Sequence, residues 1–524
     1  MSINNISLED SNQVSLLIKD YIANSKRVLP FFEYENSLEG FKKKIASTNF
    51  PNTKRETLVN QLTVQYKQNE IELPSNVALL QDKQTYVITT GHQLCLFGGP
   101  QYFIHKIVSV IKLCITLKTE FPKLNFIPLF WLASEDHDFE EISEAQVYRS
   151  SLNGKTDLKG VVGKMPLSIF ENAYTELFEL LGDNAEVIKS IFDPELENTS
   201  LSKATTTWVH KLFKDTDLVI LDGDDKVLKS SFSKIIENEL LEKNSFRLIN
   251  ESSKQLKEKG YKTQVTPREI NLFYIKENLR ERIVLIDNKY TVLNTALNFS
   301  KEEILEELKN HPERFSPNSI FRPVYQEFIL PNLAYVGGPG ELAYWLQLKE
   351  NFNRLSIPFP ILTLRDLLII TDSKTIENIE KLNLSLADFF KNEDDLIKQY
   401  LNNNTETKVA FNNESELLLE LKQKTLKKIE SVDKSLKGLV ESEFVKMQKG
   451  IDRINQKTQR SIKQKEEVNI NKIKNIRDKI APNGKLAERK INFIPNYLKD
   501  PKYYISNLIS ISNTFVSEIK TLKQ

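Results

Sequence analysis

Apolar and polar positions follow three different rhythms along this chain, and each predicts a different kind of element. Through residues 1–84 apolar side chains recur at helical spacing. Leu16, Ile18, Tyr21 and Ile22, then Leu58, Leu62, Val64 and Tyr66, predict a helical lead-in packing on the core that follows. At Thr85 the rhythm becomes the β-rich run Thr85-Tyr86-Val87-Ile88-Thr89-Thr90, closed by Gly91 and a loop ending Gly98-Gly99-Pro100. Proline suits a first helical turn, and Phe103, Ile104, Ile107, Val108, Ile111, Cys114 and Ile115 fill one broad face of the next helix. The apolar run Phe126-Ile127-Pro128-Leu129-Phe130-Trp131-Leu132-Ala133 has the length of a buried strand. Strand, helix and strand in so short a span form a βαβ unit with parallel strands. The polar loops 90–99 and 134–141 should therefore open on the same edge of a sheet.

The middle of the chain repeats the strand signal at Asp217-Leu218-Val219-Ile220-Leu221-Asp222, which runs into Gly223-Asp224-Asp225. Residues 268–294 alternate apolar and polar, predicting a small antiparallel insertion, and Ser300 with Glu303 forms a capping box for a helix through Ile304, Leu305 and Leu308. Leu333-Ala334-Tyr335-Val336 returns to the core, reaches Gly337-Gly338-Pro339-Gly340 and starts a helix at Glu341. On that helix Tyr344 and Trp345 read as core residues. A last strand is expected near Pro360-Ile361-Leu362-Thr363-Leu364. No proline occurs between Pro360 and Pro482, and steps of three and four residues link Val440, Phe444, Met447, Ile451 and Ile454, then Ile473, Ile476 and Ile480.

The predicted class is α/β, a parallel-sheet core with inserted connecting subdomains and a C-terminal arm of long helices in a coiled coil. The expected divisions are a lead-in at 1–84, the first part of the core at 85–150, its continuation with connecting subdomains at 151–320, and a core return with the glycine-rich loop at 321–375. A helical region at 376–524 completes the chain, with the coiled coil at about 413–480 and a tail packing on the core.

Charge changes this picture in one place. Lys plus Arg number 72 against 71 Asp plus Glu, so no bulk field draws in nucleic acid or anionic lipid. Residues 421–480 carry 17 basic and 8 acidic side chains, which reads either as the solvated face of a long helix or as a phosphate-binding stripe. Two cysteines, Cys95 and Cys114, with no Cys-x-x-Cys pair, speak against a disulfide framework or a structural zinc site and favour a reducing cytoplasm. The opening Met1-Ser2-Ile3-Asn4-Asn5 lacks a signal-peptide pattern, and no run has the length of a membrane span. No haem or flavin is expected either.

Three loops carry candidate chemistry. Thr90-Gly91-His92-Gln93 brings backbone donors and an imidazole to a strand end, useful for a phosphate or a developing anion, although a loop histidine bonded to a carbonyl would look the same. Five acids surround one imidazole in Ser134-Glu135-Asp136-His137-Asp138-Phe139-Glu140-Glu141, directly after a core strand, and burying them all unpaired would be too costly. Asp136, His137 and Asp138 admit three readings: ligands to a divalent ion, with Asp136 or Asp138 suited to magnesium, a general base, or acids favouring a helix N-terminus. Gly337-Gly338-Pro339-Gly340-Glu341 allows close backbone approach to a ligand, or makes a tight connection. Cys95, among apolar neighbours, reads as a small core residue.

Together with Phe97-Gly98-Gly99-Pro100-Gln101-Tyr102, Phe130-Trp131-Leu132-Ala133, Arg322-Pro323, Pro267-Arg268-Glu269, Asn271-Leu272-Phe273 and Leu486-Ala487-Glu488-Arg489, these loops resemble the cysteine ligase family of bacillithiol biosynthesis, BshC. The resemblance spans nearly the whole chain. It implies a Rossmann-like core similar to nucleotidylyl transferases and class I aminoacyl-tRNA synthetases, a dimerising C-terminal coiled coil, and the joining of cysteine to glucosaminyl malate through an amide bond. It further implies magnesium ATP for carboxylate activation. His92 with Thr90, Gly91 and Gln93 would hold the activated carboxyl or a phosphate, and Asp136, His137 and Asp138, beside Glu135, would do metal or base work. Gly337, Gly338, Gly340 and Glu341 would contact nucleotide or sugar. Arg322 would pair with the malyl carboxylate or a phosphate, or else form a structural ion pair. The rival reading is a synthetase-like or RNA-binding dimer using the basic arm, whose binding would weaken steeply with salt.

Overall fold

The computed structural model describes residues 5–192, 199–404 and 412–524. Residues 1–4 of the lead-in and its N-terminal pattern, 193–198 of the core continuation and 405–411 ahead of the coiled coil lie outside it. The described chain forms two units, residues 1–370 with 488–524 and residues 371–487.

In the first unit the β-rich runs become one five-stranded sheet: β1 Thr85–His92, β2 Asn125–Leu132, β3 Val219–Asp222, β4 Asn332–Gly337 and β5 Ile361–Leu364. Its order is β5-β4-β1-β2-β3, and every neighbouring pair is parallel. Every residue of β1 is buried, as a central parallel strand covered on both faces requires. Registers pair His92 with Leu132, Leu132 with Asp222 and Gly337 with Leu364, so the strands end along one edge. Between β1 and β4 the strand order reverses direction. That reversal is a topological switch point, where α/β sheets hold ligands.

Helix α1, Tyr102–Glu120, connects β1 to β2 and buries Phe103, Ile104, Ile107, Val108 and Ile111. Ile115, placed on the same face by periodicity, is 50 % exposed. The expected insertion is larger than 268–294. Leu272–Lys276, Leu279–Ile286 and Lys289–Val292 form an antiparallel meander, and the short edge strands Asn298–Phe299 and Phe315–Pro317 extend it to five. After it come α2, Arg322–Ile329, and α3, Pro339–Trp345. The last part of the chain stitches back into this unit. Gln101 donates its N–H to the Ile491 carbonyl at 2.8 Å, Asn492 clamps the carbonyls of Phe97 and Gly99, and Glu518–Lys523 pairs with Ile6–Ser7.

The second unit is helical: α4 Glu393–Asn404, α5 Asn412–Glu430, α6 Lys437–Lys465 and α7 Glu467–Ile480. A short turn folds α6 back on α5, and Gln448 reaches Ser415 across the hairpin at 3.1 Å. The heptad reading holds unevenly. Val440 and Phe444 are buried on α6 and Ile473, Ile476 and Ile480 on α7, whereas Met447 is 49 % and Ile454 56 % exposed.

Candidate active site

A cavity of about 850 Å³ opens at the switch point. It collects residues from the ends of β1, β2, β4 and β5, from α1 to α3, from the inserted sheet and from the returning tail. Its volume falls in the range of small-molecule sites.

The β1 end supplies Gly91, His92 and Gln93. A Cβ on Gly91 would come within 3.3 Å of the Trp131 carbonyl, so glycine lets β1 lie close to β2 here. His92 is buried between the Tyr102 and Phe103 rings, with Nδ1 3.0 Å from the Gln93 carbonyl oxygen. Because a carbonyl only accepts, this contact assigns the proton to Nδ1 and leaves Nε2 an acceptor. Burial, reinforced by the Lys106 charge, lowers the His92 pKa to about 3. The imidazole is therefore neutral. Thr90, grouped with this loop by the sequence, does not border the cavity; it is fully buried, and its hydroxyl donates to the Val336 carbonyl at 2.7 Å, tying β1 to β4.

The acids after β2 divide by role. Glu135 turns inward to Lys229 at 2.5 Å, and Lys229 also holds Asp224 at 2.7 Å. Asp136 accepts from Gln93 Nε2 and from the His137 backbone N–H, each at 2.7 Å, which ties the β1 and β2 loops together. Burial would raise its pKa, but hydrogen bonds from Gln93 and the His137 backbone N–H, with the Arg280 charge, win and hold it below the ordinary carboxylate value. Arg280 Nη1 lies 2.7 Å from His137 Nδ1. A guanidinium only donates, so Nδ1 accepts, and its 3.5 Å approach to Asp136 is no ion pair. Asp138 caps the four-residue helix Phe139–Ile142 and stands exposed on the rim. Among the described residues no group of three or more His, Cys, Asp and Glu side chains is placed to hold a metal ion. A magnesium ion carried by a phosphate would need one or two protein oxygens and no closed cage, and the exposed Asp138 carboxylate would be the group to supply one.

At the β4 end Gly338 and Gly340 border the cavity, whereas Gly337 is buried behind them and accepts the Arg365 N–H at 2.9 Å. Glu341 is an ion-pair node. It takes Lys106 Nζ at 2.8 Å, the Tyr335 hydroxyl at 2.6 Å and the Gly338 N–H at 2.9 Å. Burial opposes its ionisation, and Lys106 with these hydrogen bonds brings the carboxyl down to about 2. Lys106, which sequence reasoning missed, is 3 % exposed and also donates to the Gly91 carbonyl. It thus joins the β1 and β4 loops. Burial lowers its own pKa, and Glu341 opposes that shift.

Arg322 donates to Gln326 at 2.9 Å and lies 5.8 Å from the Trp131 ring and 5.9 Å from that of Tyr335. No carboxylate among the described residues pairs with it, so the structural ion pair offered as its alternative role is not formed. Tyr344, expected in the core, borders the cavity instead, while Trp345 is fully buried. Arg365 was also missed; it directly follows β5, where an apolar strand ends in the charges Arg365 and Asp366. Cys95 is buried, and that burial, ahead of the Glu141 charge, lifts its thiol to about 12, far from the range of an activated nucleophile.

Comparison with known proteins agrees along the whole chain. The family model "Bacillithiol biosynthesis BshC, N-terminal Rossmann-like domain" matches residues 1–366, and "Bacillithiol biosynthesis BshC, C-terminal coiled-coil domain" matches residues 368–524. Relatives named "Putative cysteine ligase BshC" include one from Flavobacterium psychrophilum, 41 % identical over 94 % of both chains, and one from Flavobacterium johnsoniae, 38 % identical over 96 % of both. A more distant one from Bacillus cereus is 27 % identical over 94 % of both chains. With a Rossmann-like sheet, a cavity at its switch point and a helical hairpin behind these matches, the chain belongs to the BshC family of bacillithiol biosynthesis.

Proposed function

We propose that this protein is a ligase that joins the carboxyl of cysteine to the amine of glucosaminyl malate, with the amide forming in the cavity at the switch point. The observation that carries this reading is the charge pattern of the cavity lining. Seven Lys and Arg side chains line the cavity against five Asp and Glu; of the basic ones, Lys106 is engaged by Glu341 and Arg365 by Glu488, while Arg322 has no carboxylate partner among the described residues. An excess of cations lining a partly enclosed cavity suits carboxylate or phosphate groups of substrates. Magnesium ATP, bound in the same cavity, would supply activation of the cysteine carboxyl.

This chain's own residues then have separable tasks. His92, neutral with Nε2 as acceptor, cannot donate to the carboxyl or phosphate expected of it and takes a hydrogen bond instead from the cysteine ammonium or thiol. Gly338 and Gly340 let backbone approach the sugar or nucleotide closely. Asp136, held by Gln93 and Arg280, fixes the turn between the two loops and is too acidic to accept a proton during the reaction. Asp138 on the rim has the exposure to receive the proton released by the attacking amine or to meet a phosphate-borne magnesium ion. In a strain that depends on this protein for its low-molecular-weight thiol, His92→Ala and Asp138→Ala should each cut thiol levels sharply. Wild-type levels in both variants would remove the site assignment.

A second copy of the chain is proposed to cover the helical hairpin, where Leu417, Leu421, Leu439, Met447 and Ile454 are each exposed by about half or more. Sedimentation equilibrium should give twice the chain mass, and a monomer would refute this. No helix of the described residues is long and apolar enough to cross a membrane. Two buried free thiols accord with a reducing, cytoplasmic setting.

A further inference from the structure

Leu486-Ala487-Glu488-Arg489 lies far along the chain from the three loops, yet Glu488 is 3 % exposed in the first unit and touches the cavity wall through Arg365. Arg365 is itself 3 % exposed. Its Nη1 donates to the Asp366 carbonyl at 2.8 Å and lies 2.7 Å from Glu488 Oε1, while its ring neighbour Tyr102 is centred 5.0 Å from the guanidinium. The rest of the guanidinium is unsatisfied. Nε is buried without a hydrogen-bond partner, and Nη2 has no hydrogen bond or ion pair with any described residue. Most buried donors are matched by a partner, because leaving them bare in the interior costs more than the fold gains; Arg55 and Arg477 also have a bare Nε, but only Arg365 of the three lines the cavity. Arg365 has Nη1 committed to protein and Nη2 uncommitted, and the residue lines the cavity.

The committed edge is held with care. Glu488 Oε2 accepts from His105 Nδ1 at 2.6 Å and from the Leu368 N–H at 3.0 Å. Gln101 Nε2 stands 3.2 Å from His105 Nε2, so the amide donates to that nitrogen and the imidazole proton sits on Nδ1, toward Glu488. Each of Glu488's contacts comes from a different segment. Rotation of the carboxylate would break all of them.

We propose that Arg365 is the cavity's receptor for a substrate oxyanion, a carboxylate or a phosphate taken through Nη2, and that Glu488 and His105 are positioning residues that hold its guanidinium edge toward the ligand. This rests on the reading of the cavity as the substrate site and adds a role for the late motif. Arg365 lies next to Gly338, where an added Cβ would stand 3.7 Å from Nε, so the bound oxyanion lies beside the glycine turn.

The test uses the full-length protein and calorimetric titration with three pairs of probes: glucosaminyl malate and its dimethyl ester, cysteine and its methyl ester, and ATP and adenosine. Arg365→Lys should weaken the charged member of one pair by about 10- to 100-fold, the loss of a charge-assisted contact, and leave its uncharged partner unchanged. The affected pair identifies the source of the oxyanion. Glu488→Gln should reproduce the loss on the same pair, and Glu488→Asp should recover part of it, which a general loss of packing would not do. The proposal is overturned if the wild-type protein binds no charged probe, if Arg365→Lys binds every probe as the wild type does, or if charged and uncharged members weaken alike. Selective loss without amide formation by the wild type would leave Arg365's role standing and remove the ligase reading. Amide formation unaffected by Arg365→Lys would do the reverse.

Discussion

Two populations of cations distinguish the two units. Residues 421–480 carry 17 basic side chains, and those on α5 and α6 are largely exposed, paired locally as Lys446 is with Glu443 or left to solvent. The cavity lining has seven, and two of them, Lys106 and Arg365, are only 3 % exposed. Summed charge points to the helical arm, while burial points to the cavity. An exposed ammonium contributes little because water and salt screen it, whereas a buried one must be compensated by partners or by a ligand. In this chain the cost of burying a charge, more than the number of charges, marks the place where chemistry is expected.

The most severe break of that contrast is Lys106→Met. It leaves Glu341 facing Tyr335 and Gly338 without its counter-charge, and losing one partner of a buried pair costs about 3–5 kcal/mol. The midpoint of chemical denaturation should fall accordingly. Lys106→Met with Glu341→Gln should recover much of that stability while thiol formation stays lost, because the cavity still lacks the Lys106 charge.

Acid should expose the same asymmetry. Glu341 and Glu488 sit at about 2 in the folded chain, below the ordinary value of 4.5. Their stabilisation is fully present above that unfolded value and is lost as pH falls from there through about 2, at about 3 kcal/mol each. His92 adds to the fall, since its folded value of about 3 lies below the ordinary 6.5 and the unfolded chain takes up the proton first. Stability measured from pH 7 to pH 3 should drop steeply in the wild type and less so in Glu341→Gln. Equal slopes would contradict the ion-pair node.

A smaller effect is expected at His92 under ordinary conditions. Its imidazole should show no titration by nuclear magnetic resonance between pH 8 and pH 5, since burial and Lys106 keep it neutral. A midpoint near 6.5 would mean that the site is wetter than the geometry shows. Smallest of all should be the combined change Lys424→Gln, Lys427→Gln and Lys428→Gln on α5. Thiol formation should be unchanged and stability should shift by no more than about 0.5 kcal/mol per site. A large loss of activity would transfer the functional cations to the arm.

Much of the scaffold was legible because it follows local rules. β1, α1 and β2 announced themselves through a change of period, and parallel pairing then put Gly91-His92-Gln93 beside the acidic turn. The position of β4 beside β1 was not legible, since pairing across so long a separation leaves no periodic trace. Nor could periodicity tell that Thr90 bonds Val336 or that Tyr344 turns to the cavity. Lys106 did leave a signal: it interrupts the apolar face shared by Phe103, Ile107 and Val110. Read as burial cost, that interruption marks a site; read as pattern, it is a flaw. On α6 the three-and-four rhythm persisted past Phe444 although Met447 and Ile454 are exposed, because rhythm reports a shared face and not what covers it.

The central claim is that this cavity makes an amide between cysteine and glucosaminyl malate. Its most direct test is incubation of purified protein with both substrates and magnesium ATP, with mass detection of the conjugate and of AMP or ADP. The account predicts the cysteinyl conjugate together with one of the two nucleotides in the wild type, and neither in Lys106→Met with Glu341→Gln. No conjugate from the wild-type protein under any nucleotide condition would contradict it.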